Sequence, residues 1–189
     1  MNTLIRSRFW LLATLCAALP LSLFAQDSGL PTFSGKGSVT QAIDTVTGAV
    51  FDLGAGITMT FPKGLPVGHS RLITLKKAGK KPSGAQIQKG FSAVGTALEI
   101  SVPLNAPDAP IVLAQSWKSD PRKLHQRLVL AMEVGTLCTQ ENKAFKLNGG
   151  LCSGWELIDA RYDDSDKRLI AELHSTGGLR MVFGTVSDE

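Results

Sequence analysis

The sequence predicts an all-β protein, a single antiparallel two-sheet β-sandwich of the immunoglobulin-like or a related type, that follows an N-terminal signal peptide. From residue 48 onward, apolar residues recur at every second position in short runs, which is the period of half-buried strands. Turn residues separate the runs at the spacing typical of sandwiches and small barrels. No apolar stripe keeps helical spacing over the roughly ten residues that an amphipathic helix needs. We therefore expect one domain, residues 48–189.

Residues 1–25 have the layout of a secretory signal peptide. Arg6 and Arg8 precede an apolar run, and the segment ends on the small residue Ala25. The part of the run before Pro20 covers about half of the roughly 20 residues that a membrane-spanning helix needs. We expect cleavage near Ala25 and an exported product, periplasmic or extracellular, without a transmembrane segment.

Cleavage there removes 25 of the 189 residues, leaving 164, and lowers the formal net charge from +4 to +2, because the segment holds two arginines and no acid. A chain of that length suits one ordinary domain. Its small charge gives no strong field for a polyanion, so nucleic acid is not expected as a partner. No cofactor is expected either.

The strands begin after residues 26–47, which are rich in glycine, serine and threonine. We expect this segment to be a flexible lead-in whose later part pairs as an edge strand. A hairpin follows, with one strand around Phe51, a turn GAG at residues 54–56 and a second strand over residues 57–61.

Seven further strands are expected. The run RLVLAMEV is apolar on both faces and should lie centrally in its sheet. The expected ranges are 71–76, 97–102, 111–116, 127–134, 156–162, 169–174 and 179–186.

Two cysteines remain after cleavage, Cys138 and Cys152. In an oxidising compartment such a pair predicts one disulfide. By closing the loop between the two cysteines, the disulfide should stabilise the fold by about 3 kcal/mol. A zinc site is not expected, because two cysteines without nearby histidines supply too few ligands. Trp155, close to Cys152, is expected to pack over this bridge.

The sequence GITMTFPKGL at residues 56–65, the strand around Ile73 and Leu75, and PIVL at residues 110–113 resemble the β-sandwich domain shared by zona-occludens proteins, netrin receptors and ankyrins, which has relatives among bacterial secreted proteins. The resemblance covers roughly residues 47–115. It implies a non-enzymatic scaffold or interaction module.

One short pattern points to catalysis instead. His174 and Thr176 fit a His-x-Thr pattern that resembles the self-cleavage site of receptor autoproteolysis domains. The resemblance implies that His174 deprotonates Thr176, which attacks the carbonyl of Ser175. The competing interpretation is a plain hairpin turn, STGG at residues 175–178. We expect no enzymatic activity and keep self-cleavage or hydrolysis as the alternative.

Two charged clusters have a functional and a structural interpretation each. Asp163, Asp164 and Asp166 lie at a hairpin tip, where they form either a Ca²⁺ site or a solvated turn, and the turn is expected. Four lysines lie close together near the end of a strand, where they either contact a phosphate-rich surface or form a solvated loop, and the loop is expected. These lysines are Lys76, Lys77, Lys80 and Lys81.

The aromatic residues give one candidate contact. Trp155 and Tyr162 lie seven positions apart in one predicted strand, so they should point to opposite faces of the sheet. Trp117, beside polar neighbours at a strand end, is the candidate for an exposed contact with a saccharide or a partner. The sequence thus predicts an exported, non-enzymatic binding or structural protein with a protein or envelope-surface partner; carbohydrate or Ca²⁺ binding is the alternative.

Overall fold

A computed structural model describes residues 32–44, 46–64, 72–101, 109–140, 142–143, 146–147, 150–175 and 180–187. The predicted signal peptide, residues 1–25, lies outside these ranges. The described chain is all-β apart from one short helix, α1. The strands are β1 Thr32–Gly35, β2 Ser38–Ala42, β3 Ala49–Asp52, β4 Ile57–Phe61, β5 Leu72–Lys77, β6 Ser92–Ala93, β7 Leu98–Ile100, β8 Ile111–Ser116, β9 Gln126–Thr136, β10 Cys152–Asp163, β11 Arg168–Leu173 and β12 Arg180–Ser187, and α1 is Gly84–Ile87.

The strands join in one antiparallel sheet of order β1-β2-β5-β7-β12-β9-β10-β11-β8-β4-β3, with β6 beside β12. The long strand β10 connects its two portions, because residues 152–159 pair with β9 and residues 160–163 pair with β11. The sheet curls there and wraps its concave face around the core. The all-β prediction is confirmed. The hydrogen bonds join the strands in one curled sheet, so the predicted division into two sheets stays a prediction.

The predicted hairpin is present as β3 and β4, with Phe51 opposite Met59. Its turn uses left-handed backbone at Gly54, Ala55 and Gly56, with φ of 71°, 53° and 72°. A Cβ at Gly56 would overlap the hydroxyl of Ser116, so this position requires glycine for space as well as for φ. All seven strands predicted after the hairpin have a counterpart, and β8 has the predicted bounds.

The sheet starts earlier than the predicted domain boundary at residue 48. Strands β1 and β2 come from the segment that we expected to be a flexible lead-in with an edge strand. Strand β1 is at the edge, whereas β2 lies between β1 and β5, with Ser38 opposite Lys76. Val39 is 4% exposed and packs in the core, which gives β2 an apolar anchor that the composition of the segment conceals. Residues 26–31 lie outside the described ranges.

The two faces of the sheet have separate apolar clusters. The concave face encloses the main core, to which nearly every strand contributes. The opposite face, which we call the outer face, carries a smaller cluster. Its buried members are Phe91, Ala97, Val129, Ala131, Val182 and Val186.

Strand β9 supplies both clusters, as the two apolar faces of RLVLAMEV predicted. Leu130 points into the main core, and its neighbours Val129 and Ala131 point into the outer cluster. The strand lies between β12 and β10, so its central position is confirmed.

The segment between β5 and β7 covers part of the outer face. It contains α1 and β6, neither of which the sequence predicted, and it lays the ring of Phe91 on β12 at Gly184. A Cβ on Gly184 would overlap that ring, so the glycine makes this contact possible. Among the residues that the structure describes, α1 is the one helix. It has four residues and is far too short to cross a membrane.

Candidate functional site

A row of polar side chains crosses the outer face on neighbouring strands. Lys76 of β5 lies opposite Glu99 of β7, and Glu99 lies opposite Arg180 of β12. Met181 pairs with Met132, which places Arg180 beside Glu133 of β9, and Glu133 lies opposite Trp155 of β10. We call Lys76, Glu99, Arg180 and Glu133 the charged row. The signs of its charges alternate across the sheet.

Glu133 and Arg180 form the centre of this arrangement. The guanidinium donates from Nε to Oε2 and from Nη2 to Oε1 of Glu133, both at 2.6 Å. Ser153 donates its hydroxyl to Oε1 at 2.6 Å. The side chain of Glu133 is 1% exposed and that of Arg180 is 31% exposed. This is a bidentate, charge-assisted pair with a buried acid and a partly exposed base.

Trp155 fixes the guanidinium from a second direction. The central carbon of the Arg180 guanidinium lies 5.7 Å from the centroid of the indole ring, which is cation–π distance. Trp155 itself packs against the outer cluster. Arg180 is therefore held both by a carboxylate in its own plane and by an aromatic face, which leaves little rotational freedom.

The hydrogen bonds keep Glu133 ionised despite its burial. Burial is the largest influence and acts to raise its pKa, but the hydrogen bonds from Arg180 and Ser153, with the charge of Arg180, outweigh it. The pKa of Glu133 therefore lies below its ordinary value. The same carboxylate raises the pKa of Arg180 through its hydrogen bonds, against the effect of burial. Both groups are charged at neutral pH.

The other pair of the row lies nearer to solvent. Nζ of Lys76 is 2.9 Å from Oε2 of Glu99, and the two side chains are 53% and 30% exposed. A pair this accessible contributes at most about 1 kcal/mol to stability, so both groups can exchange partners at low cost. Beside them, the hydroxyl of Thr74 is 2.8 Å from that of Thr40.

An open groove of about 480 Å³ runs along the charged row, and we call it the outer-face groove. Thr74 and Ser101 add hydroxyl groups to it, and Leu147 adds apolar surface, whereas the side chain of Ile100 faces the main core. Ser101 accepts a hydrogen bond from the amide of Thr74 at 2.9 Å, which fixes the position of its oxygen. The groove thus combines fixed charges, hydroxyl groups and an apolar wall.

The predicted disulfide shapes this wall. Cys138 and Cys152 are bonded, which confirms the pairing. The loop that they close carries Leu147, whose amide donates to the carbonyl of Leu151 at 2.8 Å, and Lys146 forms a bridge with Cys152. The cross-link therefore holds the loop that supplies Leu147 to the groove.

Trp117, the contact residue predicted from the sequence, lies elsewhere. Its side chain is half-buried and packs partly against the main core, and its carbonyl accepts a hydrogen bond from the Tyr162 hydroxyl at 3.3 Å. A second surface groove of about 760 Å³ lies beside it, with exposed Lys118 and Asp166 among its lining residues. Its role in binding stays a prediction. Tyr162 packs against the main core and Trp155 against the outer cluster, so the predicted opposite orientation is confirmed.

The structure separates the four lysines. Lys76 belongs to the charged row, whereas Lys77 ends β5 and is exposed, as are Lys80 and Lys81 in the following loop. The interpretation of these lysines as one phosphate-binding cluster stays untested.

The acidic hairpin tip is held together by its own hydrogen bonds. Oδ1 of Asp163 accepts from the amide and the hydroxyl of Ser165 at 3.0 and 2.6 Å. These bonds, that from the hydroxyl first, lower the pKa of Asp163. Asp164 pairs with Lys167 at 2.6 Å, and Asp166 is exposed. In the described part of the chain, no group of three or more histidine, cysteine and acidic side chains is arranged to hold a metal ion.

The self-cleavage alternative lies partly beyond the described ranges. His174 follows β11 and is exposed, but Thr176 lies outside the described residues.

No known protein family matches the chain, and no curated protein matches it. The resemblance to the domain of zona-occludens proteins, netrin receptors and ankyrins therefore stays an expectation. Sequence reasoning singled out Lys76 but missed Glu99, Glu133, Ser153 and Arg180. The available signal was an acid inside RLVLAMEV, a strand that is otherwise apolar on both faces, since a buried acid requires a partner.

Proposed function

We propose that this chain is an exported, non-enzymatic β-sandwich protein that acts by binding a partner at the cell envelope or outside the cell, and that the outer-face groove is its binding site. The observation that carries the proposal is the fixed Glu133–Arg180 pair beneath the groove. Ser153 and Trp155 hold it in place, as the supporting residues of a binding site do.

The energetics of the pair favour a role in recognition. A buried ion pair is on average no more stabilising than well-packed apolar residues of similar volume, because desolvation offsets the attraction between the charges. Val129 and Ala131 of the same strand face show that apolar side chains suit this surface. The pair therefore adds specificity to the surface rather than stability.

The state of the acids favours binding over proton transfer. A general acid or base works best with a pKa near the operating pH. The pKa of Glu133 is lowered, and its two oxygens are both occupied by donors. Glu99 is paired with Lys76. The carboxylate of Glu99, which is 30% exposed, is thus suited to accept a hydrogen bond from a ligand, and that of Glu133 to hold Arg180 in place.

Export is supported by two independent features. Residues 1–25 have the charged, apolar and small-residue layout of a signal peptide. The Cys138–Cys152 bond is of the kind that persists in oxidising compartments. In the proposed architecture, the portions of the curled sheet on either side of β10 act as the two layers of a sandwich, which leaves the outer face of one layer for a partner.

Affinity capture tests the proposal. The mature chain, residues 26–189, is immobilised and exposed to envelope and extracellular fractions of the source cells, in parallel with two matched double variants. Lys76→Met/Glu99→Leu removes the exposed pair of the groove. Arg127→Met/Asp159→Leu removes a comparable exposed pair on the same face but outside the groove.

We expect a component that the unaltered chain and the Arg127/Asp159 variant retain and that the Lys76/Glu99 variant loses. Retention of nothing by the unaltered chain would contradict a binding role. Equal retention of that component by both variants would show that it binds outside the outer-face groove.

A further inference from the structure

The charges of the outer-face groove cancel, and this limits the ligands that it can take. Lys76 is paired with Glu99, and Arg180 with Glu133, so the charged row is neutral as a whole. An anion at Lys76 or Arg180 meets the carboxylate of Glu99 on the next strand, and a cation at Glu99 meets an amine or guanidinium on both sides. Like charges at these distances repel, so a ligand with charge of one sign gains little.

Resting on the proposed function, we infer that the outer-face groove binds an uncharged, hydroxyl-rich ligand, a short oligosaccharide. Each hydroxyl group is both a donor and an acceptor. Such groups can accept from Lys76 and Arg180 and donate to Glu99, so a chain of hydroxyls satisfies the alternating row where a single charge cannot.

Arg180 presents a donor in a fixed position. Its Nε and Nη2 are bonded to Glu133, and its face lies over Trp155. Of the residues that the structure describes, none accepts a hydrogen bond from its Nη1, and the side chain is 31% exposed. A ligand hydroxyl can therefore use Nη1 without any loss of side-chain freedom, since that entropy is lost on folding.

The other lining residues fit the same ligand. The oxygen of Ser101 accepts from the amide of Thr74, which leaves its hydrogen for a ligand oxygen. Leu147 offers apolar surface to the C–H groups of a sugar ring. Neighbouring strands lie about 4.8 Å apart, so the row from Lys76 to Glu133 spans about 14 Å, enough for a short oligosaccharide.

An extended peptide, which also alternates donors and acceptors, fits less well. Peptides gain most of their affinity for sheets by pairing with a free strand edge. The groove lies over β5, β7, β12 and β9, which are interior strands of the sheet and already paired with one another. The backbone N–H and C=O groups of a peptide bound here could form hydrogen bonds only with side chains of the groove, not with a strand edge.

A printed glycan array that carries neutral, sulfated and sialylated glycans tests the inference, with the oxidised mature chain as the analyte. We expect binding to neutral glycans. Titration calorimetry with the best neutral glycan should then show that Glu99→Gln lowers affinity about tenfold, because the amide oxygen still accepts a hydrogen bond but is a weaker acceptor than a carboxylate. Asp159→Asn, an equal change in an exposed pair outside the groove, should leave affinity unchanged.

Three outcomes would overturn the inference: binding to none of the glycans, binding only to sulfated or sialylated glycans, or equal affinity of the Glu99→Gln and Asp159→Asn variants. Raising the salt from 50 to 500 mM should change the affinity for a neutral glycan less than about twofold, since salt screens only charged ligands. If affinity capture still succeeds while the array fails, the binding role stands and only the ligand class is wrong.

Discussion

Removal of Arg180 is the perturbation that bears most directly on the groove, because it leaves the buried carboxylate of Glu133 without its counter-charge. In the folded chain that carboxylate is 1% exposed, so water cannot replace the lost partner. Arg180 is 31% exposed and can be hydrated if Glu133 is replaced instead. The two single variants should therefore differ in stability although they break the same pair.

The expected magnitudes follow from that asymmetry. Removing one partner of a buried ion pair costs about 3–5 kcal/mol. We expect Arg180→Met to lower the free energy of unfolding by about 3 kcal/mol, the low end of that range, because Ser153 still donates to Glu133. Glu133→Gln keeps one acceptor, for Nη2 of Arg180 and the hydroxyl of Ser153, but places an NH2 group against Nε, so it should cost about 2 kcal/mol. The double variant Glu133→Leu/Arg180→Met should come within about 1 kcal/mol of the unaltered chain.

The pH dependence of the stability of these variants provides a second test of the same pair. The pKa of Glu133 is lowered in the folded chain, so its stabilising contribution is complete above the ordinary glutamate pKa of about 4.3 and is lost as pH falls through the folded value. In Arg180→Met, burial is opposed only by Ser153 and raises the pKa of Glu133. The stability deficit of this variant should therefore shrink as the pH is lowered from 7 toward 4.

The assay is urea unfolding of the oxidised mature chain at pH 7 and pH 4, followed by tryptophan fluorescence. Arg127→Met is the matched control, because its partner Asp159 is 87% exposed and the change should cost less than about 1 kcal/mol. If Arg180→Met costs no more than Arg127→Met, or if its deficit grows on acidification, the description of Glu133 as a buried, ionised partner is wrong.

Two further predictions concern the supports of the groove. Gly184→Ala should destabilise the chain by about 1–3 kcal/mol, because its Cβ would overlap the ring of Phe91, and Phe91→Leu in the same chain should recover part of the loss; an unchanged urea midpoint would contradict this packing. The double variant Cys138→Ser/Cys152→Ser should lose about 3 kcal/mol of stability, since the bridge closes a loop with a sequence separation of 14. It should also bind the groove ligand more weakly, because the disulfide no longer holds Leu147 in place. Equal affinity of the variant and the unaltered chain in titration calorimetry would show that the loop does not contribute to the binding site.

Local patterns were sufficient to predict the strands from β3 onward, with the exception of β6. The apolar alternation gave the bounds of β8, and the two apolar faces of β9 gave its central place. The hairpin of β3 and β4 followed from the glycines of its turn. By contrast, α1 and β6 lack a periodic signal, because a single residue, Phe91, supplies much of what this segment buries.

The charged row could not be predicted, because it depends on the register between strands that are distant in the sequence. Glu133 and Arg180 are 47 residues apart, and they meet only because β9 pairs with β12 in one particular register. A shift of one residue would turn either side chain to the main core. The sequence shows that Glu133 needs a partner, but it does not show which arginine provides it. Trp117 was favoured instead because its neighbours are polar, a local feature.

The indole signals of the mature chain offer the most direct test of where it binds. The chain has three tryptophans, and Trp10 lies in the predicted signal peptide, so a ¹⁵N-labelled mature chain has two indole N–H resonances, those of Trp117 and Trp155. On titration with the captured partner or the best glycan, the signal of Trp155, which supports Arg180 beneath the groove, should shift while that of Trp117 stays in place. A shift of Trp117 alone, or no shift of Trp155 at saturation, would contradict binding at the outer-face groove.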